Sequence, residues 1–311
     1  MGEVNLNKVE KTLKEIPFPS RFAIEVNADC NLNCSMCHHD QMVRPKGRMP
    51  YPLWQKCADE VAKEAPKTQV WFSFCGEPLL EPELLIKMLD YGNKVGLQSL
   101  NINTNGVLLT EEVANNLLNA GVARIVIGLD GFSKKAYEAA RCGGDRDLVY
   151  ANVEYLLKRR NEMKVPPEVN VQFIEMECNK GEIKVFTEYW LKRGATVKAR
   201  NMLSWGGRFD TPQGKLDRDR IPCPWAMTMM HVFWDGRVPR CPGDTEGDEG
   251  VGNVWDESVK TLWQKLGKYR NMHLAHDYDA LPERCHDCDD WKVGVADRIR
   301  IEDGKKTVAT A

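Results

Sequence analysis

The sequence has no apolar run near the roughly 18 residues that a membrane span requires. Its first stretch, Met1–Ser20, is polar and charged and has none of the apolar core of a secretory signal. It also has no excess of either charge: Lys+Arg number 43 against Asp+Glu 45, a net charge of −2. That balance removes the electrostatic footprint of a dedicated nucleic-acid binder. Fine-grained repeats and low-complexity tracts are missing too. The expectation is a cytoplasmic protein with neither a membrane nor a nucleic-acid partner. Cysteine is the exception to this sparseness. There are 11 in 311 residues, an odd number with no secretory signal, so a disulfide framework is not expected and metal binding or redox chemistry is.

The length allows about two domains. After a leader over residues 1–20, with a short helix ended by Pro17 and Pro19, strand-like and helix-like segments alternate from Arg21 to Trp205. Six such passes predict an α/β fold with a parallel sheet, helices lying on one or both faces. A complete eight-stranded barrel usually takes about 250 residues, so a partial (β/α)6 barrel fits residues 21–205 better. Residues 206–222 read as a linker. Residues 223–302 read as a second, smaller unit with a β-hairpin around Asp235–Gly236 and one helix over about Glu257–Tyr269. The tail, 303–311, is expected to be disordered.

Seven cysteines fall into two constellations. Cys30, Cys34 and Cys37 have the spacing C-x3-C-x2-C in a loop just after the first predicted strand. In an α/β barrel that end of the strands carries the reactive groups. Three thiolates can hold a four-iron cluster and leave one iron open to a small molecule, or can form a zinc loop with His38 or His39 as fourth ligand. Cys223, Cys241, Cys285 and Cys288 suit either a closed four-iron cluster or a structural zinc.

The first loop resembles that of the radical S-adenosylmethionine (SAM) superfamily, and further motifs follow in order. Phe74-Cys75-Gly76-Glu77-Pro78 is similar to the family's GGEP element, which holds the methionine amino group. Asn103-Thr104-Asn105-Gly106 is similar to its TNG element and Gly128-Leu129-Asp130-Gly131 to its SLDG element. Arg141 stands where that branch places an arginine on the SAM carboxylate. Cys75 departs from the first glycine of GGEP, and Gly128 from the serine of SLDG. The second constellation resembles the twitch form of the SPASM domain, which carries one auxiliary cluster, with a spacing like that of aminocyclitol dehydrogenases in antibiotic pathways. The resemblance implies SAM and two [4Fe-4S] clusters as cofactors. It implies Gly76, Glu77, Pro78, Asn103, Asn105, Asp130 and Arg141 as SAM-binding residues, a small-molecule substrate, and a flavodoxin- or ferredoxin-like electron donor.

The reaction is less constrained. Oxidation of an alcohol carbon, with the auxiliary cluster accepting an electron, is the leading expectation. Epimerisation with Cys142 or Cys178 returning a hydrogen atom is one alternative, and peptide or protein modification is another. Glu175, near the end of the fifth predicted strand, is a candidate for proton chemistry. Arg44, Lys46 and Arg48 could clamp an anionic substrate or form a solvated basic loop, and Glu175, Glu177, Asn179, Arg200, Ser204 and Trp205–Arg208 stand at the expected barrel mouth.

Overall fold

The structure, a computed structural model, describes residues 6–164, 166–211 and 220–296, and the backbone of 299–302 and 305–308. Its centre is a seven-stranded parallel sheet. In chain order the strands are β1 (Arg21–Ile24), β2 (Gln69–Phe72), β3 (Leu100–Thr104), β4 (Arg124–Gly128), β5 (Glu168–Ile174), β6 (Thr196–Arg200) and β7 (Met229–Val232), and in space β6-β5-β4-β3-β2-β1-β7. The first six are the expected passes. Between them run α2 (Tyr51–Glu64), α3 (Pro82–Lys94), α4 (Glu111–Asn119), α5 (Lys134–Ala140), α6 (Arg146–Asn161) and α7 (Ile183–Leu191), after a leader helix α1 (Leu6–Glu10). Thr110, Ser133 and Asp145 start α4, α5 and α6 by accepting backbone N–H bonds on their side-chain oxygens, the N-cap role for which these residue types are suited.

The period-2 pattern of the strands shows where the core lies. Phe22 and Ile24, Val70 and Phe72, Leu100 and Ile102, Ile125 and Ile127, and Val169, Val171 and Phe173 are buried against the helices. The alternate residues facing the other side include Gln69, Asn101, Arg124, Glu168, Asn170 and Gln172. A doubly wound sheet would be apolar on both faces. Here helices cover one face, and the concave face is polar. Arg124 pairs there with Glu168 at 2.6 Å and lies over Trp71.

The C-terminal region has the expected hairpin turn, and the strand before it also joins the large sheet. The turn at Asp235–Gly236 exists, with Phe233 and Arg237 joined through the Phe233 N–H at 2.9 Å. Its first arm is β7, which pairs parallel to β1 from Arg21↔Met229 to Ile24↔Val232. Its second arm, β8 (Arg237–Val238), pairs antiparallel with β9 (Gly252–Asn253). The C-terminal region thus supplies the seventh strand of the large sheet. It continues with α8 (Pro224–Thr228), which precedes β7, then α9 (Val259–Leu274), α10 (Glu283–His286) and α11 (Asp290–Ala296).

At the edges, the leader packs on the C-terminal region: Val9 and Leu13 are buried with Ile221, Met227, Trp291 and Val295, and Glu15 pairs with Arg270. Arg220 and Ile221, at the end of the expected linker, are buried as well, while 212–219 lie outside the described residues. Lys305–Val308 (β11), within the tail expected to be disordered, pairs antiparallel with Ile299–Glu302 (β10). Ile299-Arg300-Ile301-Glu302 alternates apolar and polar residues as a strand does. Residues 303–304 and 309–311 lie outside the described residues.

Candidate active site and auxiliary cysteine site

The cysteine loop leaves β1 and is pinned to the turn after α5. The Asn33 N–H bonds the Cys142 carbonyl and the Ser35 N–H the Ala140 carbonyl, each at 3.0 Å. Cys30, Cys34 and Cys37 line one cavity at the C-terminal ends of the strands. Burial raises all three thiol pKa values, that of Cys37 to about 11. The backbone N–H groups of Leu32 and His39 and the Arg141 guanidinium act in the opposite direction, toward thiolate. Arg141 Nη1 lies 3.6 Å from Cys34 Sγ. Sulfurs desolvated yet met by N–H donors and a cation fit thiolates bound to iron, whose own positive charge offsets the burial. Among the described residues no three His, Cys, Asp or Glu side chains close on a single-ion position.

The turns after β2, β3 and β4 form the rim. Gly76 is required by contact: a Cβ there would stand 2.2 Å from the Asn27 carbonyl oxygen. The buried Glu77 carboxylate accepts from the Leu79 N–H at 2.9 Å, the Thr104 hydroxyl at 2.8 Å and the Asn105 N–H at 2.7 Å. It therefore ties the second turn to the third. Asn105 donates to Asn31 at 2.8 Å, which fixes the third turn to the cysteine loop. Asn103, Asn105, Gly76, Glu77 and Arg141 line the cavity; Pro78 and Asp130 do not. Pro78 begins a buried turn of 3₁₀ helix. Asp130 is wholly buried in a left-handed conformation, φ 56°. Its carboxylate accepts from Arg141 Nε at 2.8 Å and from the Ile174 N–H at 2.6 Å. Asp130 is thus a residue that aims Arg141, which corrects its expected place among the direct SAM contacts. The glycine at 128 has a local cause as well, because a Cβ there would meet Arg141 Nη2 at 1.9 Å.

The candidates for hydrogen-atom and proton chemistry lie elsewhere. Cys142, Cys178 and Glu175 are exposed and none lines the cavity. The strand register gives the reason for Glu175. Gln172 and Ile174 face inward on β5, so the next residue points away. The basic stretch is no anion clamp. Arg44 is buried on Glu25 at 3.0 Å, Arg48 pairs with Glu81 at 3.3 Å, and Lys46 lies 4.0 Å from Asp29. Of the residues expected at the barrel mouth, Arg200 and Trp205 line the cavity, while Glu177, Asn179, Ser204, Gly206, Gly207 and Arg208 do not. Gln172 lines it unannounced and accepts from Arg200 Nε at 2.9 Å, and Phe74 and Thr104 of the quoted motifs line it too. Strand parity could have found Gln172, since it is the inward polar residue of an otherwise apolar strand end.

Cys223, Cys241, Cys285 and Cys288 come together outside that cavity. The thiols of Cys223, Cys285 and Cys288 all feel other members of the group as nearby charges, and burial raises all four pKa values, Cys223 to about 11 and Cys285 to about 12. Cys223 Sγ faces the Trp225 and Ala226 N–H groups at the start of α8, and Cys241 Sγ those of Gly243 and Asp244. Arg240 Nη1 donates to Cys285 Sγ, and the buried Arg220 bonds the Cys285 carbonyl at 2.8 Å. Four thiols served by N–H donors and buried cations fit a fully ligated iron–sulfur cluster.

The two sites are bolted to each other. Arg44, seven residues after Cys37, is buried between them. It bonds Glu25, donates from Nε to the Thr245 carbonyl at 2.7 Å, and stacks 4.2 Å from the Phe233 centroid. Its backbone N–H reaches Glu246 at 2.9 Å. On the other side, buried Asp290 accepts from the Ser204 N–H at 2.6 Å and the Gly206 N–H at 3.0 Å, next to Trp205.

Comparison with known proteins follows the same division. The family model described as the radical SAM superfamily matches residues 24–172, and that of the iron–sulfur cluster-binding SPASM domain matches 223–289. The tungsten-containing aldehyde ferredoxin oxidoreductase cofactor-modifying protein of Pyrococcus furiosus is 28% identical over 311 aligned residues, covering 85% of this chain and 86% of its own. A probable GTP 3′,8-cyclase of Methanococcus maripaludis is 27% identical over 183 residues, and the match spans only 57% of that protein's length. Among solved structures, BtrN in complex with AdoMet and 2-DOIA is 18% identical with a TM-score of 0.62, covering 89% of this chain and 94% of its own. Streptococcus suis SuiB bound to its precursor peptide SuiA is 13% identical with a TM-score of 0.68, covering 85% and 69%. At these identities the solved structures share the fold. Among the described residues no helix is long and apolar enough to cross a membrane.

Proposed function

The chain belongs to the radical SAM superfamily and carries a SPASM-type iron–sulfur domain, and on that premise we propose that it oxidises an alcohol carbon of a sugar- or aminocyclitol-like small molecule. The observation that carries this reading is the closed second site. Cys223, Cys241, Cys285 and Cys288 would satisfy a four-iron cluster with protein ligands alone, and none of the four lines the cavity. A cluster with no open iron serves for electron transfer, and two-electron oxidation needs an acceptor for the second electron.

When bound, SAM and the cluster held by Cys30, Cys34 and Cys37 supply a 5′-deoxyadenosyl radical able to take a hydrogen atom from carbon. The chain's own residues position and shelter that chemistry. Asp130 holds Arg141 at the cavity, where its guanidinium would meet the SAM carboxylate. Glu77 fixes the second and third turns as one piece around SAM. Phe74, Met36 and Trp205 make the cavity wall partly apolar and limit water, while Gln172 and Arg200 present polar groups for substrate hydroxyls or amines. Return of a hydrogen atom from Cys142 or Cys178 gains no support, because both thiols are outside the cavity. The BtrN complex is consistent with a small-molecule substrate.

The test uses anaerobically reconstituted, reduced enzyme with SAM and a panel of polyols and aminocyclitols deuterated at the carbinol carbon. Oxidation gives deuterated 5′-deoxyadenosine and a carbonyl product. Recovered substrate of unchanged composition carrying solvent hydrogen would replace this reading with epimerisation. Turnover only with a peptide would replace it with peptide modification.

A further inference from the structure

A buried arginine stands directly against the second cysteine site. Arg240 precedes Cys241 and is 7% exposed. Its Nη1 donates to Cys285 Sγ, its backbone N–H bonds Asp244 at 3.0 Å, and the guanidinium lies 5.9 Å from the Tyr269 ring centroid. Nε donates to Glu249, whose side chain is 25% exposed. Water screens the acid at the rim more than the guanidinium inside, so a fixed positive charge faces the sulfurs.

We propose that Arg240 sets the reduction potential of the auxiliary cluster upward and so makes it an electron acceptor. Reducing a four-iron cluster with four thiolate ligands adds one negative charge to a buried, already anionic group. An N–H···S bond from a guanidinium and its fixed charge both favour the reduced form over the oxidised one. A substrate carbon that has lost a hydrogen atom and still bears its hydroxyl becomes a carbonyl by giving one electron to the cluster and one proton to solvent. The inference rests on the reading that these four cysteines hold a cluster. A lysine would keep the charge but lose the planar fork that reaches both Cys285 and Glu249.

The full-length Cys30/Cys34/Cys37→Ala protein carries the second cluster alone, and its potential is read by titration followed by electron paramagnetic resonance. Arg240→Gln is expected to lower the equilibrium constant for electron uptake at least tenfold, about 59 mV for a one-electron couple. Arg240→Lys shifts it less in the same direction. Glu249→Gln, which removes the opposing negative charge, shifts it the other way. A potential unchanged in both Arg240→Gln and Glu249→Gln, at full iron content, overturns the inference. If Arg240→Gln fails to hold iron, Glu249→Gln decides alone: a rise supports the proposal and no change overturns it. A parent protein with no iron refutes the cluster reading itself and takes the inference with it.

Discussion

The two cysteine sites solve the same problem in opposite ways. The first gathers Cys30, Cys34 and Cys37 from one loop and opens onto a cavity shared with the turns after β2, β3 and β4. The second draws Cys223, Cys241, Cys285 and Cys288 from the start of α8, the turn after β8, and α10 and its end, four thiols that would leave no iron of a four-iron cluster open. The first site depends on a cradle that places a small molecule at the metal. The second depends on fixed dipoles and buried arginines that stabilise charge. An open site suits a catalytic cluster and a closed one suits electron transfer. β7 and Arg44 hold the two in one fixed relation.

The largest effect that could break this comparison is loss of one ligand from each side. Cys34→Ala should abolish reductive cleavage of SAM. Cys288→Ala should keep formation of 5′-deoxyadenosine and stop release of oxidised product. Chromatography of both species under anaerobic reduction checks this, and SAM cleavage lost in Cys288→Ala would contradict the division of labour. Next comes the bolt between the sites. Arg44→Met leaves Glu25 buried without its cation, and a loss of about 3–5 kcal/mol is expected in denaturant unfolding. Substitution at Arg141 tests the open site alone. Arg141→Ala should weaken SAM binding by about tenfold to a hundredfold, corresponding to roughly 1.5–3 kcal/mol for a hydrogen bond to a charged group. Calorimetry measures the affinity, and the iron content should not change. Asp130→Asn should weaken binding less, since it only aims the arginine.

The smallest effect concerns β7, the strand shared by both regions. Burial lowers the His231 pKa from 6.5 to about 3. The unfolded chain takes up a proton below about 6.5 and the folded one does not, so stability falls as pH drops through that window. From pH 6.5 to 5.5 this costs about 1 kcal/mol. In His231→Phe the corresponding slope should vanish, as followed by urea unfolding at each pH.

Local information explains what could be read from the sequence. The cysteine loop, the three turns and the six strand–helix passes are encoded within short windows, by spacing, by strand parity and by N-capping residues. The second cysteine site spans residues 223–288, and only its resemblance to a known arrangement joined its parts. What was missed depends on partners far apart in the chain. Met229–Val232 beside an Asp-Gly turn reads as a local hairpin, yet its pairing partner is Arg21–Ile24. Arg44 reads as part of a solvated basic loop until Glu25 and Thr245 are seen around it. Asp130 reads as a ligand contact, and its left-handed backbone and its bonds to Arg141 and Ile174 make it a support instead.

The central claim is that one chain holds an open and a closed four-iron cluster. Its most direct test is the iron and sulfide content of anaerobically reconstituted protein, wild type against the Cys30/Cys34/Cys37→Ala variant. The account predicts about eight irons falling to about four. About four falling to none would contradict it, since Cys223, Cys241, Cys285 and Cys288 would then hold no cluster.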